Sequence, residues 1–128
     1  MSYYFSKIVD DNFDDAIERV TKHLADAGFG VLTTIDVSAT LKKKLDVDFQ
    51  RYTILGACNP GFAYKALQAE DKIGVMLPCN VIVQETSNGK VEVSAVDPMA
   101  SMMAIQNETL GGVATQVQGM LKNVIEGL

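Results

Sequence analysis

The chain has 128 residues, a formal net charge of −5, 48% hydrophobic residues and 21% charged residues. That is one domain, long enough to bury a core without metal or disulfide support, and too acidic for a broad nucleic-acid footprint, which needs clustered Lys and Arg. No apolar run approaches the ~20 residues of a membrane helix, and residues 1–7 lack a basic segment followed by an apolar one, so a cytoplasmic protein with two reduced cysteines is expected.

Residues 3–9 are β-rich and read as a strand. Asp10, Asp11 and Asn12 then offer helix N-caps, and Phe13, Ile17, Val20, Leu24 and Ala27 form one apolar stripe on the helix that follows. Gly28 ends that helix. Residues 30–37 alternate as a second strand, and residues 38–46 read as a short helix capped by Ser38 and carrying Lys42, Lys43 and Lys44 on a solvated face. Residues 49–57 are the third strand, with Tyr52, Ile54, Gly56 and Cys58 on one face if the extended geometry reaches Cys58.

Pro60 suits the first turn of a helix, which makes Asn59 its N-cap. That helix carries Phe62, Ala63, Ala66 and Leu67 and ends near Glu70. Residues 73–77 read as a returning strand, interrupted by Pro78, and residues 81–86 continue it or begin another. Asn88-Gly89 is a strong hairpin signal, with residues 91–96 as the partner strand. A turn or short helix over 99–105 precedes a last helix over about 107–127, whose apolar face holds Leu110, Val113, Ala114, Val117, Leu121, Val124 and Leu128. Gly111, Gly112 and Gly119 weaken that helix by ~1 kcal/mol each relative to Ala, and Gly119 is read as a point of close backbone approach. The expected fold is α+β: a single mostly antiparallel sheet covered on one face by helices, including a long C-terminal one.

The chemistry concentrates between Gly56 and Asn80, where each cysteine precedes an Asn and lies close to a Pro. The strings Gly56-Ala57-Cys58-Asn59-Pro60, Ala63-Tyr64-Lys65-Ala66-Leu67, Ile73-Gly74-Val75-Met76-Leu77-Pro78-Cys79-Asn80-Val81 and Val96-Asp97-Pro98 resemble the family catalogued as domain of unknown function 302. The resemblance spans nearly the whole chain. It implies a helix-grip fold like that of TATA-binding-protein-like domains, with a β-α-β-β-β-β-α core and small insertions. It implies no activity, since that family has none established.

Cys58 and Cys79 are the leading site candidates. The ordinary reading of a free cysteine is a small buried apolar residue. The sharper one is a thiol activated at the start of the Pro60 helix, where the dipole favours a thiolate. Asn59 and Asn80 read as caps or turn formers, or else as amides that orient a ligand beside the thiols. His23 is the only histidine and reads as a partly exposed surface residue. Met99, Met102 and Met103 fill irregular space or, with the cysteines, form soft copper ligands. Two cysteines and one histidine fall short of a structural zinc set.

The first reading is therefore a domain that binds a small ligand or a partner through Cys58, Asn59, Cys79 and Asn80. A thiol-dependent enzyme or redox protein using Cys58 and Cys79 is the alternative, and a soft-metal carrier the third. No cofactor, nucleic acid or membrane partner is expected. A homodimer is, from the apolar excess over residues 99–105 and the small residues of the last helix. A geometric expectation goes with the site. A helix of ~16 Å running back from Cys58 and a strand of ~20 Å running forward to Cys79 nearly cancel, so both cysteines belong at one end of the sheet. On neighbouring strands their α-carbons would stand ~5 Å apart, the only spacing that permits a disulfide.

Overall fold

Five strands form one sheet in a computed structural model that describes residues 2–128; Met1, the first residue of the stretch read for a secretion signal, lies outside them. The strands are β1 (Tyr4–Val9), β2 (Gly30–Asp36), β3 (Tyr52–Cys58), β4 (Cys79–Glu85) and β5 (Val91–Val96). Their order across the sheet is β1-β5-β4-β3-β2, and every neighbouring pair is antiparallel. The α+β class, the single antiparallel sheet and the long C-terminal helix are as the sequence leads one to expect.

The helix layer follows from two amphipathic stripes. Helix α1 (Phe13–Asp26) starts at Asn12, whose Oδ1 accepts the Asp15 amide at 2.9 Å. It buries Phe13, Ala16, Val20 and Leu24. Helix α5 (Glu108–Glu126) starts at Asn107, whose Oδ1 accepts the Leu110 amide at 3.1 Å. It buries Leu110, Ala114, Val117, Leu121, Val124 and Ile125. Most of both stripes meets Leu55, Ala57, Val81, Val83, Val91, Val93 and Ala95, the inward alternates of β3, β4 and β5, in one apolar core. The outward alternates, among them Tyr52, Ile54, Ile82, Gln84, Glu92 and Ile8, face away from that layer.

Several local expectations need correction. Residues 73–77 are not a strand. A 3-10 helix covers Asp71–Met76, closed by the Ile73 amide on the Glu70 carbonyl at 3.2 Å. Its apolar run misled because only Ile73 is buried, while Val75 is 82% exposed. Strand β4 is a single strand that starts at Cys79, directly after a cis Leu77-Pro78 bond. Helix α2 (Val37–Leu45) is capped by Asp36, not Ser38, with Asp36 Oδ1 accepting from the Ala39 amide at 2.9 Å and from the Ser38 hydroxyl at 2.9 Å. Asp36 wins because it stands where its carboxylate reaches the free amides of the first turn. Leu67 is 47% exposed rather than part of a buried face. Gly119 approaches no backbone: a Cβ there would meet nothing within 4 Å.

Candidate functional site

Strand β3 ends at Cys58, and helix α3 (Pro60–Ala69) follows at once. Pro60 occupies the first turn, where an amide hydrogen is not needed, and Asn59 caps it. Asn59 Oδ1 accepts the Phe62 amide at 3.2 Å. The other end of that side chain packs on Gly28, the left-handed residue (φ +92) that ends α1: a Cβ on Gly28 would stand 3.1 Å from Asn59 Nδ2. Asn59 is thus engaged in holding the turn that presents Cys58.

Strands β3 and β4 are neighbours, with Ala57 opposite Cys79 and Gly56 opposite Asn80. Cys58 lies one residue beyond that pair. Both cysteines therefore stand at one end of the sheet on adjacent strands, as the displacement argument requires, although the segment leading to Cys79 is a 3-10 turn and not the strand assumed. The end is tightly built. Gly56 faces a β-bulge in β2 between Val31 and Thr33. A Cβ on Gly56 would run into the Thr33 side chain and come within 2.8 Å of Pro78 Cγ, so only glycine fits there.

Cys58 and Cys79 both line a cleft closed by Phe29, Phe62, Ala66, Leu77, Met102 and Val117. Its free volume is about 40 Å³, room for a water or a short alkyl group rather than a drug-sized molecule. Burial, and secondarily the neighbouring Cys58 charge, push the Cys79 thiol up from 9.0 to about 11. At neutral pH Cys79 is a protonated, apolar lining residue and not a nucleophile.

The four candidate site residues do not stay together. Cys58, Asn59 and Cys79 share the cleft, whereas Asn80, the next residue of β4, points to the opposite face of the sheet. Of the three methionines only Met102 reaches the cleft, and Met99 and Met103 line a separate depression with Ile105 and Leu110. A soft ion would find two thiols and one thioether there. Among the described residues, no cluster of three or more His, Cys, Asp or Glu could hold a metal. His23 sits half-buried in the last turn of α1 beside Asp26 and Asn123, and does not border the cysteine cleft.

The sequence reading missed a larger hollow. It lies on the helix-free face of the sheet, between Tyr3 and Tyr4 on one side and Tyr52 on the other, and its free volume is about 420 Å³. Its signal was present in the strand alternation: Tyr4, Tyr52 and Ile82 all fall on the face that should be wet.

These features define an α+β domain with one antiparallel sheet, a helix layer on one face and a small apolar cleft at the cysteine end. The chain belongs to the family described as domain of unknown function DUF302, whose model matches residues 5–128. It is similar to a solved structure, the crystal structure of an uncharacterized conserved DUF302 protein from Bacillus stearothermophilus. The two share 26% identity over 98% of each chain, with a TM-score of 0.91. No curated protein matches. Among the described residues, no helix is long and apolar enough to cross a membrane.

Proposed function

We propose that this chain is a binding domain rather than a catalyst, and that the cleft at the Cys58/Cys79 end receives a small apolar group. The observation that carries this reading is an almost wholly apolar cleft bordered by both cysteines, with Cys79 held protonated by its burial. A protonated thiol contributes contact area and polarisability, not nucleophilicity. A reducing, cytoplasmic setting goes with the reading, because it keeps both thiols in that form. Xenon is a suitable probe. Carbon-13 methyl NMR under xenon pressure is expected to show saturable shifts at Leu77, Met102, Val113 and Val117, which border the cleft. Ala63→Leu, at a half-buried lining position, should fill the cleft and abolish them. Absence of saturable shifts, or their persistence in Ala63→Leu, overturns the reading.

A redox role is the second reading, favoured by the adjacency of β3 and β4, in which Cys79 stands opposite Ala57 and Cys58 is the next residue along. In it, diamide accepts two electrons and two protons as the Cys58 and Cys79 sulfurs join. Mild diamide treatment should then give a monomer lighter by two hydrogens with no free thiol. A protein that keeps both thiols, or links only between chains, sinks this version. We further propose that the chain pairs with a second copy of itself, on the strength of the exposed Met99 and Met103 and the exposed glycines of α5.

A further inference from the structure

The hollow on the helix-free face has the size and wall chemistry of a ligand site, and it is distinct from the cysteine cleft. At about 420 Å³ it falls within the roughly 300–1,000 Å³ typical of small-molecule sites. Its walls are aromatic. The Tyr3 and Tyr4 rings meet edge to face at 5.0 Å, and Tyr52 stands across from them, half-buried. The Tyr52 phenol is pushed up from its ordinary value, first by burial and then by the neighbouring Tyr3 phenol.

The floor carries a directed polar chain. The Ser6 hydroxyl donates to Glu92 Oε2 at 2.7 Å, which leaves its oxygen to accept from the Ser94 hydroxyl at 2.8 Å. Gln84 Nε2 reaches the other carboxylate oxygen of Glu92 at 3.4 Å, and Gln50 Nε2 donates to Gln84 Oε1 at 2.8 Å. All these donors are neutral. None of the residues lining the hollow is basic, and no ion pair among the described residues involves Glu92. A carboxylate oriented by neutral hydroxyl and amide donors has lone pairs to spare for a further donor. Aromatic faces beside it present negative quadrupoles. Both features attract a cation and repel an anion.

We propose that the Tyr3/Tyr4/Tyr52 hollow is a binding site for a small organic ammonium ion, held by the tyrosine rings with Glu92 as its counter-charge. The geometry is that of an open aromatic cage over a sheet, with Ile82 supplying apolar contact on the floor. Asn80, which the strand alternation takes away from the cysteines, belongs to this site.

The chain offers its own readout. It has no Trp and four Tyr, and three of those four border the hollow. Tyrosine fluorescence of the full chain is titrated with choline chloride, with its uncharged isostere in which carbon replaces nitrogen, and with sodium chloride. Choline is expected to give a saturable change, the isostere to bind about tenfold or more weakly, and sodium chloride to give no saturable change. Glu92→Gln should weaken choline about tenfold. Tyr3→Ala should weaken it about fivefold, and Tyr3 lies outside the strands and is 68% exposed, so its loss leaves the fold intact even if Glu92→Gln does not fold. Equal binding of choline and its isostere, no saturable change with choline, or unchanged choline affinity in the variants that fold overturns the proposal.

Discussion

Cys79 shows how a single residue's surroundings decide its chemistry. Its position one strand from Cys58 suggests a reactive pair, but burial raises its thiol to about 11, and a thiol so raised stays protonated at neutral pH. Two consequences follow. In a Cys58→Ser variant, the remaining thiol should react with iodoacetamide at a rate that climbs about tenfold per pH unit through the alkaline range without levelling near the ordinary thiol value. The second is linkage. The folded-state pKa lies above the unfolded one, so the folded chain holds this proton more tightly. The associated stability is complete below pH 9.0 and is lost as pH rises through about 11. Tyr and Lys side chains titrate in the same window, so the informative quantity is the difference between wild type and Cys79→Ala in urea unfolding. That difference should shrink between those two pH values. A difference that stays constant would show that the thiol is not perturbed by folding.

At the scale of elements, legibility tracked how local the determining forces are. The α1 stripe, the Asn59-Pro60 start of α3 and the Asn88-Gly89 hairpin rest on contacts within a few residues, and each could be read from the chain. The 3-10 turn at Asp71–Met76 could not, because Ile73 is held by Ala66 and Leu110, which come from other elements. The hairpin is the place for a direct test. Gly89 has φ +78, and its amide donates to the Thr86 carbonyl at 3.0 Å. Gly89→Val puts a β-branched side chain into the left-handed region, at a cost of roughly 1–3 kcal/mol. The variant should unfold at lower urea with an unchanged slope. Wild-type stability would mean that the turn does not set the register of β4 and β5.

On the scale of the molecule, the sheet separates two surfaces that the sequence run Cys79-Asn80 merges. One face carries the core and the cysteine cleft, the other the tyrosine hollow, and strand alternation sends adjacent residues to opposite sides. Candidate residues clustered in sequence therefore overstate clustering in space. The same caution bears on the proposed homodimer, which rests partly on the small residues of α5. Gly112 and Gly119 are exposed there, and a Cβ on either meets nothing within 4 Å of the chain itself. For a lone chain, alanine at both positions is purely favourable, raising helix stability by ~1 kcal/mol each. If a second copy uses these glycines for close approach, the added methyl groups must clash across the interface instead. Light scattering on wild type at tens of micromolar should give twice the 13.9 kDa chain mass, and a thermal midpoint that rises with concentration. The Gly112→Ala/Gly119→Ala variant should drop toward the single-chain mass and lose that concentration dependence, while its dilute-limit midpoint rises above that of wild type. A wild-type mass of one chain would overturn the dimer. A variant that stays dimeric would move the interface away from this stretch of α5.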